Sequence, residues 1–368
     1  ASAALAADPT HADAALALAL AELGHGADAV AAAVTACALA PTDPRAHAAH
    51  GAALIRAGHP ADAAAAYARA RDLAPDDPGA HYNCALAAEA GDQVDAAVAH
   101  YRAALARAPG HVPSLLNLSR VLVDARRFDE VAPVYQQLEA ALPGNTMTPH
   151  LRAALRGDLT AAAPRAYVVD LFDALAPRFD DLMVGTLGYD GHRRLAALVT
   201  RLGAGRRFAR ALDLGCGSGL VAPLVRDHVD WLAGVDLAPR MIDAARARGL
   251  YEQLDVADVV EHLATVPPAT LALITAADVL IYLGDLTPLF AAVARALAPA
   301  GWFALTVERS DDVDARLQAT GRYAHSRAHL AALAAAHGLA VLAIEPLVVR
   351  READLPVPGW VAVLARAG

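Results

Sequence analysis

The sequence predicts an all-α array of helical repeats over residues 1–143, a linker over 144–165, and an α/β domain over 166–368. Three observations predict this organisation. Prolines recur every 34 residues through the first part. Strand-like apolar runs alternate with helical segments in the second part, and the first of these runs ends in a loop of closely spaced glycines. We therefore expect a repeat array followed by a seven-stranded, mostly parallel sheet covered by helices.

Composition excludes several classes of protein. The 368 residues carry a formal net charge of −9, which disfavours binding to DNA or RNA phosphates. The sequence contains no lysine, so a catalytic lysine is excluded, and no apolar run reaches membrane-spanning length. Cys37, Cys84 and Cys216 have no paired spacing. We expect a cytoplasmic protein from a GC-rich bacterial genome, without a metal site and without a nucleic-acid or membrane partner.

The first part repeats with a fixed period. Alanines and tyrosines keep the register of the prolines, and Gly58 and Gly91 mark turns within repeats, whereas Arg126 replaces the glycine of the last repeat. The residues that keep the register are Pro41, Pro75, Pro109, Pro143, Ala36, Ala70, Ala104, Tyr67, Tyr101 and Tyr135. This pattern resembles the tetratricopeptide repeat, a stacked helix pair, over four units at about 10–143. Another kind of helical solenoid is the alternative.

The resemblance implies a concave face built from the first helix of each pair. Asn83 and Asn117 lie there 34 residues apart, and Tyr82, Arg56 and Arg120 share that face. Amides carry both donors and acceptors, so a ladder of them can hold an extended peptide. We expect a peptide or protein partner on this face, and a merely solvated polar surface is the alternative.

After the linker, seven apolar runs read as strands separated by helices. They are FARALDL, WLAGVDL, QLDVAD, LALITAADVL, GWFALTVE, LAVLAIE and GWVAVLA. Ligands of such sheets bind at the carboxyl ends of the strands. The first run is followed by Gly215, Gly217 and Gly219, which let the backbone approach a ligand. A nicotinamide-binding loop would place its third glycine at position 220, which is Leu220, so a different nucleotide-like ligand is favoured.

The segments ALDLGCGSGL, GVDLAPRMIDAAR, DVAD and ITAADVLIYLGDL occur in that order. They resemble the motifs of the Rossmann-like class I S-adenosylmethionine-dependent methyltransferases. The whole chain, with ERSDD and GRYAHSRAHL, resembles the bacterial methyltransferases that carry tetratricopeptide repeats. The resemblance implies that Asp213 faces the ammonium group of the cofactor, directly or through water. It also implies that Asp236 holds the ribose hydroxyls and that Asp258 holds the adenine amino group. Helix N-caps are the alternative for Asp236 and Asp258. The expected cofactor-binding residues are Asp213, Gly215, Cys216, Gly217, Gly219, Asp236, Leu237, Met241, Asp258, Val259 and Asp278.

The acceptor side is harder to read, because a sulfonium methyl group needs only an aligned nucleophile and the exclusion of water. His325 precedes a helix at an expected strand end, and its imidazole could take a proton, while Tyr282 follows the fourth strand. Structural roles are the alternative for both. The aromatic segment 166–192 could fold over the cofactor as a lid, although packing against the sheet is its default role.

These patterns predict methyl transfer to a peptide, protein or small-molecule acceptor that the repeats recruit. The alternative is a cofactor-binding assembly or adaptor protein in which turnover is vestigial and the repeats are the functional part.

Overall fold

The computed structural model describes residues 11–22, 27–352 and 355–368. The chain divides into two compact units, Ala1–Thr148 and Pro149–Gly368. Within the described ranges, no helix is long and apolar enough to cross a membrane. The predicted linker is in part wrong, because Met147–Arg156 is helical. Ala153 and Ala154 of this helix are buried against Leu317 and Tyr323 of the second unit.

The described part of the first unit is helical. Its helices are α1 (Ala12–Ala21), α2 (Ala27–Leu39), α3 (Pro44–Arg56), α4 (Pro60–Leu73), α5 (Pro78–Ala90), α6 (Val94–Arg107), α7 (Val112–Asp124) and α8 (Phe128–Ala141). From α5 onward each helix begins and ends 34 residues after the helix two places earlier. The structural period therefore equals the period of the prolines.

Local chemistry repeats with the same period. Asp43 and Asp77 accept the backbone N–H groups of Arg45 and Gly79, which caps α3 and α5 at their N-termini. The residue at the turn within each pair has positive φ: Gly58 (+82°), Asp92 (+55°) and Arg126 (+57°).

Two details of the repeats follow from these positions. The turn residue with left-handed backbone conformation in the third repeat is thus Asp92, not the predicted Gly91. In the fourth repeat, Arg126 adopts the conformation that a glycine was expected to supply. In the second repeat, Gly51 of α3 packs so closely on Tyr67 that a Cβ on Gly51 would lie 2.6 Å from the tyrosine ring.

The second unit contains the α/β domain. Its helices are α9 (Met147–Arg156), α10 (Arg165–Leu175), α11 (Gly191–Gly203), α12 (Ala222–Val225), α13 (Pro239–Ala247), α14 (Val259–Thr265), α15 (Thr287–Ala296) and α16 (Arg327–Ala336). Its strands are β1 (Phe208–Leu214), β2 (Val229–Asp236), β3 (Gln253–Val256), β4 (Leu271–Ala276), β5 (Leu297–Arg309), β6 (Ala315–Leu317), β7 (Tyr323–His325), β8 (Leu339–Glu352) and β9 (Leu355–Arg366). All seven predicted runs form strands.

The strands form one mixed sheet. Its order is β3-β2-β1-β4-β5-β7-β6, and β9 pairs with β5 and β8. Parallel pairing joins β3, β2, β1, β4 and β5, which confirms the mostly parallel sheet. The sheet has nine described strands instead of seven, because β6 and β7 were not predicted. It also ends in an antiparallel hairpin of β8 and β9.

Alternation along the strands places apolar side chains on both faces of the sheet. On β5, Phe303 and Leu305 join a cluster with Phe290 of α15, whereas Trp302 and Ala304 join the opposite cluster. The strand order reverses between β1 and β4, which are neighbours although two strands lie between them in sequence. Such a reversal opens a crevice at the carboxyl ends of the strands.

Candidate functional site

The loop after β1 carries three glycines with positive φ. Gly215 (+58°), Gly217 (+53°) and Gly219 (+86°) adopt a conformation that favours glycine. At Gly215 a Cβ would collide with the side chain of Val279. At Gly217 the nearest atom to a Cβ would be Cε1 of Phe179, 3.8 Å away. Gly215 is therefore required by packing, whereas Gly217 leaves space beside the loop.

Asp236 fixes this loop from the end of β2. Its Oδ2 accepts the Gly217 N–H at 2.9 Å, and its Oδ1 accepts the Ala238 N–H at 2.8 Å. Burial raises the pKa of the Asp236 carboxyl group. Each carboxylate oxygen has two lone pairs, so a ligand hydroxyl can still be accepted.

Asp258 occupies the equivalent place after β3. It is the N-cap of α14 and accepts the N–H groups of Val260 at 2.9 Å and Glu261 at 3.1 Å. The Arg165 guanidinium lies 3.5 Å from its Oδ2. Asp258 is thus a helix N-cap, as the alternative role for it proposed. It also lines the cavity described next.

These residues line a cavity of about 540 Å³ at the carboxyl ends of the strands. This volume lies within the usual range of small-molecule sites. Eight predicted cofactor residues and Tyr282 belong to the lining. They are Gly215, Cys216, Gly217, Asp236, Leu237, Asp258, Val259, Asp278 and Tyr282.

Three predicted cofactor residues do not line the cavity. Both oxygens of Asp213 are occupied inside the core, by the hydroxyl groups of Thr275 at 2.6 Å and Tyr251 at 2.8 Å, and burial raises its pKa to about 6. A Cβ on Gly219 would face Arg248 and Tyr251. Met241 is fully buried in an apolar cluster. Direct contact of Asp213 with the cofactor is wrong, because Asp213 is buried in the core and does not line the cavity. Contact through water stays a prediction.

The aromatic segment lies over the glycine loop. Phe172 and Phe179 line the cavity and meet edge to face, with centroids 6.0 Å apart. Asp180 accepts the Ser218 hydroxyl at 2.5 Å and pairs with Arg248. Residues 165–187 thereby form one wall of the cavity, which we call the cover segment.

A buried charged cluster forms another part of the wall. Arg350 of β8 is 3% exposed and pairs with Asp278, Glu308 and Glu352, while Arg322 pairs with Glu308 and Glu352. Neither arginine was among the site residues predicted from the sequence. Two adjacent arginines follow an apolar run in LVVRRE of β8, and this pattern was the sequence signal that pointed to Arg350.

The acceptor-side prediction for His325 is wrong. This residue ends β7, is fully buried and does not line the cavity. Its Nε2 lies 2.9 Å from the Leu283 carbonyl oxygen, and burial lowers its pKa to about 4. The side chain points into the packing between β7 and the turn at Leu280–Tyr282, so its role is structural.

A different histidine lines the cavity. His192 is the second residue of α11 and is 4% exposed. Its ring stacks on Tyr189 with centroids 5.0 Å apart and an interplanar angle of 25°. Burial lowers its pKa. From the sequence, His192 was predicted only as part of a possible lid over residues 166–192.

In the first unit, two of the predicted partner-binding residues contact each other. The Asn117 side-chain amide donates to the Tyr82 hydroxyl at 3.2 Å. Arg120 is exposed and pairs with Glu89 and Asp124. Asn83 is half-buried on α5. A ligand that used Asn117 or Arg120 would therefore compete with existing contacts.

Comparisons with known proteins identify the second unit. Residues 187–344 match the family model described as a methyltransferase domain. The ubiquinone biosynthesis O-methyltransferase of Xanthomonas oryzae pv. oryzae is 33% identical over 96 residues, which are 25% of this chain and 40% of that protein. The enzyme of the same name from Bordetella bronchiseptica is 32% identical over 105 residues, 27% of this chain and 44% of the relative. The chain thus spans about two-fifths of the length of these relatives.

A solved structure, the Burkholderia thailandensis 1,6-didemethyltoxoflavin-N1-methyltransferase, is 20% identical and covers 57% of this chain and 92% of its own, with a TM-score of 0.44. By the match to the family model, the second unit contains a methyltransferase domain over residues 187–344.

Proposed function

We propose that the chain is an S-adenosylmethionine-dependent methyltransferase whose helical repeats recruit the acceptor, a peptide, protein or small molecule. The observation that carries this proposal is the meeting of Gly217, Asp236 and Asp258 in the lining of one cavity. They follow three successive strands, where nucleotide-like ligands bind in open α/β sheets.

The residues present fit the cofactor. The space beside Gly217 would hold the part of the ligand that a side chain would displace. Asp236 would accept the ribose hydroxyls, and Asp258 the adenine amino group, with Leu237 and Val259 beside the ring. When bound, S-adenosylmethionine supplies a methyl group already activated on a positively charged sulfur.

Charge in the cavity supports the same ligand. Five carboxylates and three guanidinium groups line it, so acidic groups exceed basic ones. The carboxylates are Asp236, Asp258, Asp278, Asp285 and Glu352, and the arginines are Arg165, Arg322 and Arg350. A cationic sulfonium gains from this excess because charges interact more strongly in a partly buried cavity than in bulk water. The protein's own task is to align an acceptor and to exclude water.

The repeats supply the recruiting surface in this proposal. The 34-residue structural period of the helices, and the prolines that recur with the same period, support a tetratricopeptide solenoid. Tyr82, Asn83, Asn117 and Arg120 would contact a peptide or protein partner, with the Asn117–Tyr82 hydrogen bond opening to admit it. We further propose that the protein acts in the bacterial cytoplasm. The competing candidate is an adaptor protein with vestigial turnover, which would bind the cofactor without transferring its methyl group.

A more specific candidate is methyl transfer to oxygen. The relatives that match 25–28% of the chain are named as ubiquinone biosynthesis O-methyltransferases. The apolar character of the cover segment supports an acceptor that is itself largely apolar, because Leu171, Phe172, Leu175 and Met183 line the cavity.

Calorimetry on the purified chain tests the cofactor part of the proposal. The wild type should bind S-adenosylmethionine, and Gly217→Val should weaken binding by more than about tenfold, or about 1.4 kcal/mol. The reason is that Cγ atoms would occupy the space beside the loop. Gly249→Val is the matched control, because Gly249 also has positive φ (+65°) but does not line the cavity.

Equal affinities of the Gly217 variant and the wild type would contradict the assignment of the site. Incubation with methyl-labelled cofactor and lysate, separated into protein and small-molecule fractions, then distinguishes an enzyme from an adaptor. An adaptor would bind the cofactor and label neither fraction.

A further inference from the structure

The cavity holds one histidine in a fixed position. His192 is packed against the Tyr189 ring, and Gly191 between them makes the stack possible. A Cβ on Gly191 would lie 2.8 Å from Cε2 of Tyr189. The Nδ1 atom of His192 is buried and has no hydrogen-bond partner among the described residues. The imidazole is therefore oriented by packing, and its nitrogens are not committed to a partner in the protein.

The other titratable groups of the lining are unsuited to accept a proton. Asp236 and Asp258 accept backbone N–H groups, and Asp278 and Glu352 are ion-paired with Arg350. Asp285 accepts the Thr287 N–H, and its hydrogen bonds lower its pKa.

The remaining lining groups hold their protons. Burial raises the pKa values of Tyr189, Tyr282 and Cys216, so both phenols and the thiol stay protonated at neutral pH. The arginines are permanently charged donors without a free lone pair. Among the described residues of the cavity, His192 alone combines a free basic nitrogen with the absence of an ion pair.

The surroundings of His192 keep its imidazole neutral. Burial is the main cause that lowers the pKa of His192. The Arg193 guanidinium also lowers this pKa, whereas Asp190 raises it. Two residues of neighbouring elements also act on this pKa: Asp180 raises it and Arg248 lowers it. These two residues pair with each other. The start of α11 adds unsatisfied N–H groups, which also disfavour a cation there.

The wall beside this base is apolar. The cover segment contributes Leu171, Phe172, Leu175, Phe179, Leu182 and Met183. A charged amine or guanidine would lose its hydration against these side chains, whereas an aromatic ring would gain from burial. The lining therefore selects an apolar acceptor with a weakly acidic group.

We propose that His192 is the general base for an apolar, phenol-like acceptor. This inference rests on the proposed function. The acceptor hydroxyl gives its proton to the imidazole, while its oxygen forms the O–CH₃ bond and the S–CH₃ bond of the sulfonium breaks. The sulfur becomes a neutral thioether, and the imidazolium returns its proton to water. Positioned bases of this kind contribute about 10²–10⁴-fold to rate.

Two acceptor probes of different acidity test the base. Catechol needs a base to lose its proton at neutral pH, whereas thiophenol is largely ionised there and needs none. In the full chain, His192→Gln should lower the catechol-to-thiophenol rate ratio by about 10²-fold or more. His228→Gln is the control, because His228 belongs to the same unit but does not line the cavity. Calorimetry with S-adenosylmethionine should give equal affinities for both variants.

Two further measurements separate catalysis from structure. The wild-type rate with catechol should fall only at pH values below the ordinary imidazole pKa of about 6.5, because burial lowers the pKa of His192. The His192→Gln variant should lack this acid limb. With S-adenosylhomocysteine present, bound 4-nitrocatechol should show phenolate absorbance at lower pH in the wild type than in the variant.

The outcomes are distinguishable. An unchanged catechol-to-thiophenol ratio in His192→Gln would overturn the assignment of the base. A wild type that binds S-adenosylmethionine but methylates neither probe would overturn the acceptor class. A wild type that does not bind S-adenosylmethionine would overturn the proposed function itself.

Discussion

At the scale of single residues, Asp236 combines binding and structure. Its two oxygens hold the Gly217 and Ala238 N–H groups, so the residue shapes the loop before any ligand arrives. Asp236→Ala should therefore lower cofactor affinity by about 1.5–3 kcal/mol, the scale for hydrogen bonds to a charged group. It should also lower the melting temperature without ligand, because two N–H groups lose their acceptor.

Ser326→Ala separates the two contributions, because Ser326 is the N-cap of α16 and does not line the cavity. Loss of this N-cap should cost about 1 kcal/mol of stability, and cofactor affinity measured by the same calorimetry should stay equal to that of the wild type. If Asp236→Ala lowered stability but left affinity equal to the wild type, the carboxylate would only shape the loop.

Asp213 makes a separate prediction about pH. Its pKa is raised from 3.8 to about 6 because burial penalises the charged form. The native state then binds more protons than the unfolded state between these values, so stability falls as pH rises from about 4 to 6. Asp213→Asn removes this dependence. Measured by urea unfolding, the stability of the variant relative to wild type should rise by about 1–3 kcal/mol across that window.

Asp230→Asn provides the reference for this experiment. Asp230 is exposed and pairs with Arg207, so its substitution should leave the pH dependence of the wild type intact. Parallel curves for the wild type and the Asp213 variant would show that the buried carboxyl group does not titrate in this range.

At the scale of elements, the cover segment is fixed by few polar contacts. Asp180 receives hydrogen bonds from Ser218 and Arg248, and Asp173 accepts the Arg240 N–H at 2.9 Å. Arg248→Met should release the segment near Asp180. Hydrogen exchange should become faster over residues 176–187, and cofactor affinity should fall by several-fold because the ordered wall must then form on binding.

Arg246→Met is the control two residues earlier on the chain. Arg246 is exposed and pairs with Asp243 of its own helix, so the same change of residue type removes only a surface pair. Equal exchange in the two variants would mean that apolar packing of Phe172 and Phe179 alone holds the segment.

Elements also show what the sequence could predict. The predicted strands are long or strongly apolar except for β3, which has four residues and includes two polar ones. The glycine loop follows β1 directly, so local pattern was sufficient for the long strands and for the loop. Strands β6 and β7 have three residues each and are defined by pairing with β5 and with each other. His325 was misplaced for the same reason, because the direction of its side chain depends on Leu283. The Arg350 cluster joins β5, β7–β8 and the loop after β4, which no local window contains.

At the scale of the whole molecule, the two units make different predictions. Residues 1–150 carry nine arginines and sixteen acidic residues, so the repeat unit is the more acidic part. A partner that it recruits should be held in part by charge, and that contribution should weaken at high salt. The cavity, by contrast, is built entirely from residues of the second unit.

A fragment of residues 149–368 should therefore fold and bind S-adenosylmethionine with the affinity of the full chain. It should keep activity toward catechol but lose labelling of the natural acceptor in lysate, because the recruiting surface is gone. Calorimetry measures the first expectation, and transfer of labelled methyl to the lysate fractions measures the second.

The point of truncation matters for this experiment. A fragment that begins at residue 160 would lack the His150 ring, whose Nε2 lies 2.9 Å from the Gly321 carbonyl oxygen, and the buried Ala153 and Ala154. It should be less stable than the 149–368 fragment, because the apolar surface around Tyr323 becomes exposed. Loss of lysate labelling in the shorter fragment would then reflect unfolding. If the 149–368 fragment labelled the natural acceptor at the full rate, the repeats would serve assembly or localisation, since the methyltransferase domain would select its acceptor alone.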